Sequence, residues 1–189
     1  GKKRSVTLAG DTRQHITHHA GFSSWQEFLD RIGVASTALN TLTVSYRSTH
    51  AITRFAISVL ESNEEPPART TRDGPPVELF RFSEHGACVA FLATELRSLL
   101  QAEPLANIAL LTPDEHLADL YFDGLRSAEV PDIRRVREQR FAFSSGIDVV
   151  PVTQIKGLEF DYVVIIEASA MLWPDTPHHR RLLHVGATR

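Results

Sequence analysis

The stretch Ile147-Asp148-Val149-Val150-Pro151-Val152, followed by Thr153-Gln154-Ile155-Lys156-Gly157-Leu158-Glu159-Phe160-Asp161 and then Tyr162-Val163-Val164-Ile165-Ile166, decides how this chain is read. Its two flanks are apolar and rich in Val and Ile. Near-continuous apolar strands suit a sheet covered on both faces, whereas a half-exposed sheet needs strict alternation. The segment between them holds a lysine, a glycine and two acids. In sheets of this type ligands sit beyond the carboxyl ends of the strands, so polar residues directly after a strand are where chemistry is expected.

Working outward, strand and helix signals alternate. Upstream, Ile108 to Leu111 reads as a buried strand, Leu117, Leu120, Tyr121 and Leu125 define a helix, and Ile133 to Val136 a short strand. Before these, Val77 to Phe82 alternates as a strand, and Ser83 is placed to cap a long helix carrying Val89, Leu92, Leu96, Leu99 and Leu100. Four prolines make Ser62 to Pro76 a surface loop. A helix is expected from about Ser48, with Ile52, Phe55, Ala56, Val59 and Leu60 on one stripe, after a strand from Thr41 to Tyr46. Ser24 and Glu27 form a capping-box pattern ahead of Trp25, Phe28, Leu29 and Ile32, with Gly33 as the stop. Val6-Thr7-Leu8-Ala9 reads as a strand ending at Gly10-Asp11, and Arg180 to Arg189 as the start of a helix. This alternation predicts an α/β sandwich with a mostly parallel central sheet.

Composition narrows the function. The chain has 189 residues, 42% hydrophobic and 23% charged, and a chain of that size buries about 70% of its unfolded surface. A single cysteine, Cys88, excludes a disulfide framework and Cys-rich zinc modules. No apolar run is long enough for a membrane span, and no secretory h-region is present, so a cytoplasmic protein is expected. The net charge of −3 argues against a globally basic nucleic-acid binder. The only methionine is Met171, so the chain is expected to be a piece of a longer protein.

Four sites hold unusual polar combinations: Gly10-Asp11-Thr12-Arg13-Gln14, Tyr46-Arg47-Ser48-Thr49, the segment Thr153 to Asp161, and Leu183-His184-Val185-Gly186-Ala187-Thr188-Arg189. Each has an ordinary reading alone. Gly10-Asp11 reads as a tight turn with an N-cap, Arg47 as a solvated arginine opposing a helix dipole, Lys156-Gly157 as a loop, and Arg189 as a frayed end.

In this order, however, Gly-Asp-x-x-Gln, Tyr-Arg-Ser-Thr, Lys-Gly-Leu-Glu-Phe-Asp and Val-Gly-Ala-Thr-Arg resemble consecutive motifs of the UvrD/Rep-like superfamily 1 helicases, over Leu8 to Arg189. The resemblance implies a RecA-like three-layer fold. Residues 1–35 would be the remnant of a first motor domain and 36–189 the second. It implies ATP, with magnesium, held between the two domains of the full-length protein, and single-stranded DNA as the track, RNA not being excluded. Tyr46 would stack on adenine, Arg47 would reach the γ-phosphate, and Glu159 would accept hydrogen bonds from the ribose. Gly157 would allow close backbone approach, and Arg189 would be the arginine finger. Gln14 would sense the γ-phosphate and the attacking water. A guanidinium suits such phosphate contacts because its fork of donors matches the oxygens.

The departures matter too. Where the third motif usually carries histidine this chain has Thr153, whose hydroxyl can still contact a phosphate, with Lys156 beside it. After Gln14 comes His15-Ile16-Thr17-His18-His19-Ala20-Gly21 in place of the usual pattern. Trp25 looks closer to the helicase IV and HelD-like branch, whose members include RNA-polymerase-recycling ATPases. The alternative reading is therefore a HelD-like ATPase associated with RNA polymerase, or a non-catalytic partner-binding module on the same fold.

No Gly-x-x-x-x-Gly-Lys-Ser/Thr loop occurs in the sequence, so this segment alone is expected to hydrolyse no ATP. Asp114-Glu115 is expected to serve the first turn of a helix, not a magnesium site. His15, His18 and His19 have a zinc-like spacing without a completing ligand, and no metal site is assigned. Arg126, Arg134, Arg135, Arg137 and Arg140 are interleaved with Glu129, Asp132 and Glu138, which predicts a self-paired face. Cys88 is expected to be a packing residue and His178-His179 a polar helix entry.

Overall fold

A computed structural model describes residues 7–11, 14, 16, 24–34, 38–42, 44–60 and 69–189. Helix α1 spans Trp25–Arg31, strand β1 Val44–Ser45, α2 His50–Leu60, β2 Arg69–Thr70, α3 His85–Ala102 and β3 Asn107–Thr112. Then follow α4 Glu115–Ser127, β4 Ile133–Arg135, β5 Gly146–Pro151, a short 3₁₀ turn Val152–Gln154, β6 Tyr162–Ile165 and α5 Pro177–Ala187.

The main sheet runs β4-β5-β3-β6 with every pairing parallel, and β1 pairs in parallel with β2 as a separate two-stranded ribbon. Alternation along β3 divides the core into two. Ile108 and Leu110, with Ile147 and Val149 of β5, face Val89, Leu92 and Leu96 of α3 and Tyr121 and Leu125 of α4. Ala109 and Leu111, with Val150, face the other way onto Val152, Trp173 and Leu182 and Val185 of α5. A sheet covered on both faces explains why its central strands β3 and β5 read as near-continuous apolar runs.

Local signals set most helix ends. Ser24 accepts from the Glu27 amide, and Gly33 (φ +70°) closes α1 as its N–H reaches the Asp30 carbonyl while Val34 reaches Leu29. Asp114 caps α4 by accepting from the Leu117 amide at 2.8 Å, and Glu115 follows in the first turn. Thr176 caps α5, with Pro177 in its first turn.

Several expected elements differ. Val6 lies outside the described residues, and Thr7 to Gly10 form no strand. The expected strand Thr41 to Tyr46 shrinks to Val44–Ser45, because β2 offers only two residues to pair with. Within the expected loop Ser62 to Pro76, Arg69–Thr70 supply that partner and 62–68 lie outside the described residues. Helix α2 begins at His50, two residues after Ser48. The largest departure is Val77 to Phe82, which forms no strand. Its alternation is spent on α3 instead, with Phe80 and Phe82 packing on Phe91 at ring separations of 4.8 and 5.3 Å. Ser83 does not cap α3, which starts at His85 behind an extended Glu84 that makes no side-chain cap.

Gly186 shows how closely α5 approaches the sheet. A Cβ there would lie 3.1 Å from Leu111 Cδ1 and 3.4 Å from Val152 Cγ2. Gly186→Ala is expected to lower stability through overpacking that costs about 1–3 kcal/mol, only partly offset by the roughly 1 kcal/mol gain in helix propensity. Chemical denaturation reads this directly, and an increased midpoint would mean that Leu111 and Val152 move aside freely.

Candidate nucleotide and nucleic-acid site

The arginines that precede the third motif are committed to local work. Arg134 pairs with Asp148, its register partner on β5, at 2.8 Å and also bonds Ser144 and the Ser145 carbonyl. Arg135, almost wholly buried, holds Asp119 at 2.7 Å and Glu115. Arg137 shares Asp119, and Arg140 pairs with Glu138. The two guanidiniums hold the Asp119 carboxyl below its ordinary value, the Arg135 bond being the largest cause. The face is paired within the domain, but of the interleaved acids only Glu138 serves Arg140; the other partners come from α4 and β5. Among the described residues no cluster of three or more His, Cys, Asp or Glu could hold a metal ion, and His15, His18 and His19 lie outside them. Cys88 is partly buried and packs against the α3–α4 core; burial pushes its thiol up.

A second group of charges meets away from that face. Gln14 donates to Asp11 at 2.9 Å and accepts from Arg189 with its other amide atom. Arg47, just before α2, forms an ion pair with Glu159 in the loop after β5. Arg189 is not a frayed end: it is only 8% exposed, and its Nε–H is buried without a partner. Burial, then the neighbouring Arg47 charge, pulls its guanidinium below the ordinary value, while Asp11 and Glu159 oppose that pull. Four segments therefore converge: the residues Asp11 and Gln14, the approach to α2, the loop after β5 and the end of α5. Of the residues expected to bind nucleotide, the structure brings together Gln14, Arg47, Glu159 and Arg189. Tyr46 stands 73% exposed beside Arg47 in sequence, its ring face open.

Asp11 is a member that sequence reading missed. It sat inside a quoted motif, but a Gly-Asp pair reads first as a turn, and only the fold brings it near Arg189.

Thr153 and Lys156 are exposed on the loop that also carries Glu159, and Gly157 between them and Glu159 has φ +89°. Fully buried Ile155 anchors this loop. Gln154 steadies it by accepting from the Gln139 amide at 2.9 Å and donating to Glu115 at 2.5 Å. Glu115 thus serves α4, Arg135 and this loop, consistent with a structural role for Asp114-Glu115.

Residues 146–189 match the UvrD-like helicase C-terminal domain. That match covers β5, the Lys156 to Asp161 loop, β6 and α5, two of the four converging segments. No curated protein matches the chain. Among solved structures, the C-terminal domain of a possible DNA helicase from Lactobacillus plantarum WCFS1 is similar, with a TM-score of 0.61 and 23% identity over 77% of this chain and 81% of that one. At that identity the likeness shows the fold alone, a parallel sheet flanked by helices.

Proposed function

We propose that this helicase-like domain supplies one half of an inter-domain ATP site, and part of a single-stranded DNA track, in a superfamily 1 motor whose other RecA-like domain precedes it. In this division residues 1–35 end the first domain and 36–189 form the second. One observation carries the reading. A buried arginine with an unpaired N–H stands beside a second arginine, and such a site suits a multiply charged oxyanion.

Toward ATP, Tyr46 offers a stacking face, Glu159 an acceptor for ribose hydroxyls, and Arg47 and Arg189 the phosphate donors. ATP supplies the phosphoryl group whose transfer to water drives the motor; magnesium and the phosphate loop come from the preceding domain. Within this chain Arg47 is held by Glu159 and Arg189 by Gln14. Each internal partner keeps a guanidinium oriented, and each must yield as phosphate oxygens approach. Gln14, bonded to Arg189 and Asp11, is placed to report that exchange to the first domain. Thr153 and Lys156 meet the DNA backbone on the same loop as Glu159, which couples the two ligands mechanically.

The test is steady phosphate release by the intact protein and by this 189-residue chain. The intact protein should hydrolyse ATP faster with single-stranded DNA, and the isolated chain should not exceed its own R189A control. If the intact protein releases no phosphate under either condition, the partner-binding module, with RNA polymerase as its candidate partner, replaces the motor. Lys156→Ala in the intact protein should weaken DNA binding across all sequences and reduce the slope of log affinity against log salt by about 1. An unchanged slope removes Lys156 from the track.

A further inference from the structure

Helix α5 is gripped from two sides. Against the sheet, Val185 is fully buried and Gly186 sits close to Leu111 and Val152. Against α2 the contact is polar and directional. Arg180 Nη1 donates to the Val59 carbonyl at 3.2 Å, and the His184 Nδ1–H donates to the Ala56 carbonyl at 3.0 Å. Position numbers rise along α5 as they fall along α2, so the two helices run antiparallel. Arg47, ahead of α2, is thereby carried toward Arg189, beyond α5. The Arg180–Val59 contact lies at the far end of the helix pair, whereas His184 sits in the last turn of α5, on the side that leads to Arg189.

His184 is only 7% exposed, and Ala56, small and 1% exposed, lets the imidazole come close. The Thr188 hydroxyl donates to the His184 carbonyl at 2.9 Å, which ties the turn bearing the imidazole to the residue next to Arg189. An apolar side chain at 184 could fill the same space, but apolar helix contacts slide. A hydrogen bond to one backbone carbonyl fixes translation and rotation together, because its strength falls steeply off geometry. We infer that His184 is a positioning residue: its bond to the Ala56 carbonyl sets the register of α5 on α2, and through it the spacing of Arg189 and Arg47. This rests on the reading of those arginines as a phosphate site.

The test uses the 189-residue chain, inorganic tripolyphosphate as the probe, and the Nε–H NMR signals of Arg47 and Arg189. In the wild type both signals should move together on titration. His184→Leu keeps bulk and removes the donor; His184→Asn keeps a donor near the Nδ1 position. H184L should weaken binding about tenfold, the scale of one lost charge-assisted contact, with the Arg189 signal no longer moving. H184N should stay within about twofold of wild type, well short of that step. Unchanged amide signals from α3 and α4 show that each variant is folded. Wild-type binding by H184L overturns the inference, as does equal weakening in H184L and H184N, which would make the residue a packing element. A wild type that ignores tripolyphosphate overturns the phosphate-site reading itself, and the inference with it; the two failures are therefore distinct.

Discussion

Arg189→Ala in the intact protein is expected to lower ATP turnover by about 10³ to 10⁵, the range observed when an arginine that stabilises a transferring phosphoryl group is lost. ATP affinity should fall far less. Tyr46, Arg47 and Glu159 all remain, and an interaction made chiefly in the transition state affects turnover more than ground-state binding. Buried Arg189 also bonds Gln14, so the variant should disturb communication with the first domain and blunt stimulation by DNA. Arg189→Lys separates charge from shape: lysine keeps the positive charge and loses the planar fork, and it should rescue little. Nucleotide binding by fluorescence and phosphate release by coupled assay decide the matter. Turnover within a few-fold of wild type in R189A would refute the finger assignment.

The largest expected effect on stability lies on the opposite face of the sheet. Tyr121 is fully buried in the α3–α4 core, and its hydroxyl donates to Glu167 at 2.6 Å. Tyr121→Ala is expected to cost about 3–5 kcal/mol, the usual range for emptying an aromatic site in a core. Tyr121→Phe keeps the ring and loses one hydrogen bond, for about 1 kcal/mol. The pH dependence separates these contributions. Burial, then the bond to Glu167, pushes the phenol above its ordinary value of 10.0. A raised folded value means that the associated stability is fully present below the unfolded pKa and is lost as pH climbs past it toward the folded value. Wild-type stability should therefore decline above pH 10 with a component of about 1.4 kcal/mol per pH unit, and Y121F should lack that component. Denaturation midpoints measured between pH 8 and 11 report it. Parallel decline in both proteins would show that Tyr121 ionises freely.

The sequence was most legible where one physical demand dominated. β3 and β5 are apolar along most of their length because helices cover both faces, the buried Asp148 of β5 being matched by Arg134, and they read as strands at once. The ends of α1 read well too, since Ser24 and Gly33 act on neighbours a few positions away, whereas the cap expected from Ser83 does not form. Val77 to Phe82 did not read correctly, because alternation states that one side of an extended segment is apolar, not that another strand lies alongside. Phe91 takes the apolar side, and the segment needs no sheet. In the candidate site the residue types were visible in advance but their partnerships were not. Nothing local distinguishes a solvated arginine from Arg47 paired with Glu159, or a terminal arginine from a buried one. His184 lay inside a quoted motif without a role of its own, because its acceptor belongs to a helix far away in the chain.

That distance has a consequence for how the protein matures. The bond between Gln14 and Arg189 joins groups 175 positions apart, and Arg47 and Glu159 come from segments between them. Contacts of such separation form late, after most of the ordering entropy has been met by shorter-range structure. A chain arrested with β3, α4 and β5 already packed would have a sheet and a core but no paired guanidiniums, and hence nothing to grip a phosphate. On the proposed reading of these arginines as a phosphate site, nucleotide binding would therefore report completed folding.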